Sequence, residues 1–328
     1  MIQVALFGAG RIGRLHGANV AAHRGANLRY VIDQNPEAAQ SLADELGAEV
    51  VTQEQALLDP EVDAVLIASP TDTHAALICA AAEVKKAIFC EKPVDLSLAE
   101  VDRCLALVEQ MNVPLALGFN RRFDASFRRV HQGIQAGDVG QVEVVSITSR
   151  DPFPPPPSYV AQSGGLFVDM MIHDFDMARW LLGEEPVRVQ STGSCLIDPG
   201  IGEAGDIDTA AVILTTASGK ICQITNSRRS AYGYDQRIEV FGEKGCLRAE
   251  NQFATTVTHL GAEGVGQDKP LEFFIDRYRE AYKTELHEFI EGLLAGAAPS
   301  VTGHDGRQAL VLALAALESY KSGQAVTL

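Results

Sequence analysis

The chain begins with Ile2-Gln3-Val4-Ala5-Leu6-Phe7-Gly8-Ala9-Gly10-Arg11-Ile12-Gly13, a short apolar run leading into a G-x-G-x-x-G turn. The run is compact enough to be a strand buried on both faces, and residues 11–23 beyond it have helical length and periodicity. A glycine turn of this spacing is common in isolation; its place between a strand and a helix gives it meaning. There Gly8 permits the tight turn, Gly10 lets backbone approach a pyrophosphate, and Gly13 allows close helix–strand packing. Amides at the helix start, Arg11 and Ile12 among them, and the helix dipole then hold the phosphates.

The same alternation continues outward from this turn. Apolar runs at 28–32, 64–68, 87–90 and 115–117 are separated by helical patterns at 36–46, 73–83 and 97–111. Asn35 before Pro36 marks one helix start, and Ser97 with Glu100 marks another as a capping box. Strand–helix alternation implies right-handed crossovers and a parallel sheet, so residues 1–120 read as a doubly wound α/β Rossmann domain. Asp33 ends the second strand about 20 residues beyond the last glycine, where a carboxylate accepts from adenosine ribose hydroxyls. It also repels a 2′-phosphate, and Gln34 and Asn35 supply no cation to offset that, so NAD is expected over NADP. A turn or helix-capping role is the plainer alternative for Asp33.

After about residue 120 the rhythm changes to longer alternating runs at 141–149, 187–190, 209–215, 220–225 and 237–241. Turns such as Ser218-Gly219 and Glu243-Lys244-Gly245 separate them, the pattern of an antiparallel sheet with one face packed. Helical patterns lie at 123–135, 172–182, 277–295 and 305–322. Residues 121–328 are therefore expected to form an α+β domain on a large, mainly antiparallel open sheet, with the last helix able to return to the first domain. The proline-dense stretch Asp151-Pro152-Phe153-Pro154-Pro155-Pro156-Pro157 reads as a stiff extended loop.

Composition limits the classes of function. The 328 residues carry 43 acidic against 27 basic side chains, a net charge of −16, which opposes nucleic acid and anionic membrane. The apolar run 309–317 is about half the ~18 residues a membrane span needs. No basic segment followed by an apolar stretch opens the chain, and the six cysteines contain no Cys-x-x-Cys pair, so buried thiols in the cytoplasm are expected.

Three stretches in order, the glycine turn, Cys90-Glu91-Lys92-Pro93 and Asp169-Met170-Met171-Ile172-His173, resemble the Gfo/Idh/MocA oxidoreductases over nearly the whole chain. The runs 164–169 and 173–179, with Ser149-Arg150-Asp151-Pro152 and Tyr232-Gly233-Tyr234-Asp235, look most like the inositol 2-dehydrogenases within that family. The resemblance implies NAD-dependent oxidation of a secondary hydroxyl of a cyclic polyol, myo-inositol first. Scyllo-inositol or an aldose pyranose is the alternative substrate, and a non-catalytic NAD-binding sensor the alternative class. It assigns proton transfer to His173, puts Asp169 and Lys92 beside it, and implies a cis bond before Pro93. Ser69, Pro70, Thr71 and His74 match a loop bordering the cofactor, as does Glu91. Asn120, Arg122, Arg150, Asp151, Tyr234 and Tyr282 match substrate-pocket positions, and relatives imply a homo-oligomer, a tetramer first.

The chemistry can also be argued without the resemblance. Alcohol oxidation needs a base near ambient pH, for which imidazole is suited. His173 follows Asp169 by four residues, so on one helix start both face the same side. Lys92 follows a strand's C-terminal end, where open α/β sheets bind ligands, and an ammonium there stabilises developing alkoxide. Asp169 and His173 are also of zinc-ligand type, but no third ligand stands at suggestive spacing, so no metal is expected. Met171 replaces the threonine frequent in inositol-type members, which removes a hydrogen bond only if the position faces the pocket.

Overall fold

Ile2–Phe7 forms strand β1 of the computed structural model, which describes residues 1–328 apart from the side chain of Ala161. Helix α1 (Arg11–Ala21) follows the glycine turn, and then come β2 (Ala26–Ile32), α2 (Pro36–Leu46), β3 (Glu49–Val50) and α3 (Gln53–Leu58). The series continues through β4 (Ala64–Ile67), α4 (His74–Glu83), β5 (Ala87–Glu91), α5 (Leu98–Met111) and β6 (Leu115–Gly118). All neighbours pair in parallel in the order β3-β2-β1-β4-β5-β6, the doubly wound arrangement that binds dinucleotides at the C-terminal strand ends.

Local chemistry explains most of the helix borders. Asn35 caps α2 by accepting from Glu37 N–H and Ala38 N–H, Pro36 opens its first turn, and Gly47 at φ 72° ends it. The capping box expected at Ser97 is absent: its side chain caps nothing, and Glu100 instead pairs with Arg103 at 2.8 Å. The Ser97 amide that Glu100 would accept from donates instead to Asp95 Oδ1 at 2.8 Å. A capping box does occur at Thr52 and Gln55, starting α3.

The first compact unit comprises Met1–Phe123 with Glu280–Leu310, and the second Asp124–Arg279 with Val311–Leu328. This partition differs from the expected single border after residue 120. The reason is packing: Leu286, Phe289 and Ile290 are buried in the same core as Leu28, Leu66 and Phe89. Local periodicity shows that a helix has an apolar face but not what covers it.

The second unit runs α6 (Ala125–Gln135), β7 (Val142–Arg150), α7 (Pro157–Ser163), α8 (Gly165–Asp169) and α9 (Ile172–Leu182). Next are β8 (Pro186–Ser194), α10 (Pro199–Glu203), β9 (Thr209–Thr216), β10 (Ile221–Ser227), β11 (Asp235–Gly242) and β12 (Gly245–Ala249). The chain ends with an exposed hairpin of β13 (Thr258–Gly261) and β14 (Gly264–Gln267), then α11 (Phe274–Ala295), α12 (Gly303–Ser322) and β15 (Val326–Thr327). The large sheet has the order β12-β11-β7-β10-β9-β8-β15 and is antiparallel except between β7 and β10. Alternate residues of β9 and β10 are buried, with α9 packed against β7 and β10. The opposite face keeps Ile221, Val144 and Phe241 side by side across β10, β7 and β11. Among the described residues, no helix is long and apolar enough to cross a membrane.

Candidate active site

In the first unit, the expected cofactor residues gather at the C-terminal ends of β1, β2, β4 and β5. Gly8 has φ 105°, and a Cβ there would stand 2.5 Å from the Ala68 carbonyl oxygen, so only glycine fits between the two strand ends. A Cβ on Gly13 would meet the Gly8 carbonyl oxygen at 1.9 Å, whereas one on Gly10 would meet nothing within 4 Å. Gly10 caps α1 without a side-chain hydrogen bond, and the first turn carries no acidic residue. Free space beside uncapped helix amides suits a pyrophosphate, so the residues present fit a dinucleotide.

Asp33 serves the same turn from the end of β2. Its Oδ2 accepts from Ala9 N–H at 2.6 Å and its Oδ1 from Asn35 N–H at 2.7 Å. A carboxylate has about four lone-pair sites, so the turn role and a ribose role are compatible. After β4, Ser69 and Thr73 share a hydroxyl–hydroxyl bond of 2.6 Å, and Thr71 opens a short 3-10 turn after Pro70. His74, 2% exposed, sets Nε2 2.8 Å from the Ser69 carbonyl and Nδ1 2.7 Å from the Pro93 carbonyl. It thus ties the loop after β4 to the segment bearing Lys92. The Lys92–Pro93 bond is cis. Glu91 turns its carboxylate onto His16 Nε2 at 2.7 Å. Asn120 is buried at 2% exposure, Arg122 pairs with Asp305 at 2.9 Å, and Tyr282 packs edge-on against His16.

In the second unit, Asp169 and His173 are not on one helix as expected. Asp169 ends α8 and His173 is the second residue of α9, with Met170 and Met171 between them. Gly164 and Gly165, at φ 85° and 79°, turn the chain from α7 into α8, and the amide of Leu166 donates to Asp206. Asp169 Oδ1 accepts from the Tyr159 hydroxyl at 2.9 Å, and its Oδ2 lies 3.4 Å from Arg228 Nη1. Desolvation of the hydroxyl and then the Asp169 charge raise the Tyr159 phenol above its ordinary range, keeping it a donor. Arg228, with a side chain only 2% exposed, also reaches Asp206 at 3.6 Å. Met171 is fully buried, so it belongs to the core and its substitution for threonine removes nothing from an open pocket.

Arg150 bonds the Tyr232 hydroxyl at 2.6 Å and lies 3.5 Å from Asp235. Burial opposes ionisation of Asp235, but hydrogen bonds from Arg237, Tyr232 and Asn251 prevail and hold its carboxyl below the usual range. Asp151 N–H donates to the Ser227 carbonyl, and Tyr234, 6% exposed, meets Tyr278 edge to face at 6.1 Å. Sequence reasoning missed Arg228, Asp206, Tyr159 and His16. For His16 a signal existed, since Gly13, His16, Gly17 and Val20 form the buried stripe of α1. Among the described residues, neither of the two groups close enough to chelate an ion contains Asp169 or His173. Two open clefts of about 470 and 710 Å³ are lined by none of the expected site residues.

Comparison with known proteins identifies the family. A family described as an oxidoreductase family with an NAD-binding Rossmann fold, GFO/IDH/MocA, matches residues 2–119, and its C-terminal domain matches 127–248. The chain is 49% identical to an inositol 2-dehydrogenase of Rhizobium meliloti, covering 97% of this chain and 96% of that one. The crystal structure of a myo-inositol dehydrogenase from Corynebacterium glutamicum superposes with a TM-score of 0.96 at 42% identity, over 100% and 99% of the two chains. A scyllo-inositol dehydrogenase from Lactobacillus casei, solved with NAD(H) and scyllo-inositol, gives a TM-score of 0.92 at 30% identity, over 100% and 99%.

Proposed function

The chain belongs to the Gfo/Idh/MocA oxidoreductase family, and from that premise we propose that it oxidises myo-inositol to its 2-keto product with NAD. The observation that carries this reading is 49% identity, sustained over 97% of the chain, to a relative named for inositol oxidation. Scyllo-inositol is the second substrate, favoured by the likeness to a structure holding that isomer.

NAD supplies the hydride acceptor; the remaining work falls to side chains. His173 takes the proton of the reacting hydroxyl as general base. The Lys92 ammonium donates to the same oxygen and stabilises its growing negative charge. Asp169, anchored by Tyr159 and Arg228, is positioned to accept from an adjacent hydroxyl or to orient the imidazole. Asn120, Arg122, Arg150, Asp151, Tyr234 and Tyr282 hold the other hydroxyls, since polar pockets discriminate by the groups that a wrong substrate leaves unpaired. The enzyme works in the cytoplasm, consistent with six free cysteines. It acts as a homotetramer, for which the Ile221–Val144–Phe241 row offers an apolar contact face.

The test is a panel of inositols and aldoses with NAD or NADP, followed by absorbance of the reduced cofactor. Turnover of myo-inositol with NAD is the expected result, and silence across the panel refutes the reading. Lys92→Ala and His173→Ala each lower kcat about 10²–10⁴-fold while NAD affinity changes far less. Wild-type turnover in both variants removes the catalytic assignment. Light scattering gives the subunit number, and a monomer at micromolar concentration contradicts the tetramer.

A further inference from the structure

His16 has no exposed surface, although it sits in the helix that follows the glycine turn. Its ring is wedged edge-on between Phe89, at 5.1 Å and 63°, and Tyr282, at 5.7 Å and 85°. The ring plane is therefore fixed by packing before any hydrogen bond is counted. Nε2 stands 2.7 Å from Glu91 Oε1, so the imidazole and the carboxyl group share a direct hydrogen bond.

Glu91 is confined from the other side as well. It pairs in register with Gly118 of β6, where a Cβ would stand 2.8 Å from Oε2 and 2.9 Å from the carboxyl carbon. The backbone of β6 thus packs directly on the carboxyl group, and any larger residue at 118 pushes it away. Glu285 of α11, itself 2% exposed, brings a second carboxylate within 4.8 Å of the pair. The cofactor helix, the catalytic strand and α11 therefore meet at one buried imidazole.

We infer that His16 is a positioning residue: by clamping Glu91 against Gly118 it fixes the strand end from which Lys92 is presented. This rests on the reading of Lys92 as the group that binds the reacting oxygen. A lysine is a point charge on a flexible four-carbon stem, so its aim depends on the backbone that carries it. Misplacing a reacting group by about 1 Å can cost on the order of 100-fold in rate.

The experiment compares H16L, H16Q and K92A in the full-length protein, reading kcat, KM for myo-inositol, NAD affinity by fluorescence titration, and melting temperature. H16L is expected to lose roughly 10- to 100-fold in kcat while KM and the NAD Kd stay within about threefold. In H16Q the amide Nε2 can still donate to Glu91, and kcat returns to within about threefold of wild type. If H16L does not fold, H16N takes its place, because its amide is too short to reach Glu91. G118A displaces the same carboxylate from the opposite side and should lower kcat in the same direction. Undiminished kcat in H16L, or an equal fall in H16Q and H16L, overturns the inference. The two readings separate through K92A: wild-type turnover there removes the Lys92 role and this inference with it. An inactive K92A beside an unimpaired H16L removes the His16 role alone.

Discussion

Gly13→Ala tests the glycine turn most sharply, because the structure sets the size of the effect. The new Cβ would lie 1.9 Å from the Gly8 carbonyl oxygen and 2.8 Å from its carbon. Both contacts are with backbone, so no side chain can rotate away. Restoring an ordinary separation of about 3.2 Å requires α1 to retreat from β1 by roughly 1.3 Å, an overpacking that costs about 1–3 kcal/mol. At about 2–4 °C per kcal/mol for a unit of this size, the melting temperature should fall by roughly 2–12 °C. The same retreat moves the helix amides from the pyrophosphate, so NAD affinity should fall as well. Gly10→Ala is the control: its Cβ meets nothing within 4 Å. Its stability cost is the poorer helix cap, about 1 kcal/mol at most, yet it fills the space the cofactor needs. Thermal melts without NAD and titration calorimetry with it give both numbers. If Gly13→Ala melts and binds like wild type, the argument from close approach is wrong.

Other predictions follow from single side chains. Asp33→Ala should narrow the preference for NAD over NADP, measured as the ratio of kcat/KM; an unaltered ratio would show that the carboxylate only braces the turn through Ala9 and Asn35. Arg228→Met removes the buried cation that the half-buried Asp169 and Asp206 share and should cost about 1.5–3 kcal/mol in urea unfolding. A loss below 1 kcal/mol would mean that the two carboxylates find water. Asp235 has a lowered folded-state pKa, so its contribution is present above the unfolded value of about 3.9 and is lost as pH falls through the folded one. Asp235→Asn should therefore be less stable than wild type at pH 7, with the gap closing below about pH 4; a gap independent of pH contradicts the ion-pair account.

The first sheet was legible because buried parallel strands are written as largely apolar runs: Val4–Phe7 of β1 and all of β4 and β6 are buried. What escaped was short and exposed, such as β3 with two residues and the β13–β14 hairpin, where no burial imposes a pattern. Thr52 and Gln55 did carry the signature of α3, a six-residue helix too short to show periodicity. Within the site, residues on motifs were legible, and the groups that hold them were not. Arg228 looks like half of an Arg-Arg surface pair, and only the fold sets it between Asp169 and Asp206, 59 and 22 residues away along the chain. The break between Asp169 and His173 likewise falls at Met170 and Met171, where α8 ends and α9 begins, which a four-residue spacing rule ignores.

A ribosome that has released the first 123 residues has delivered every strand of the parallel sheet but not the cover for one side of its apolar interior. Leu286, Phe289 and Ile290 arrive more than 150 residues later. Until then that surface is open to water and to neighbouring chains, so the nucleotide-binding half must mature after most of its partner has been made. A gene fragment ending near Phe123 is accordingly a poor substitute for the intact module, whatever its strand order promises.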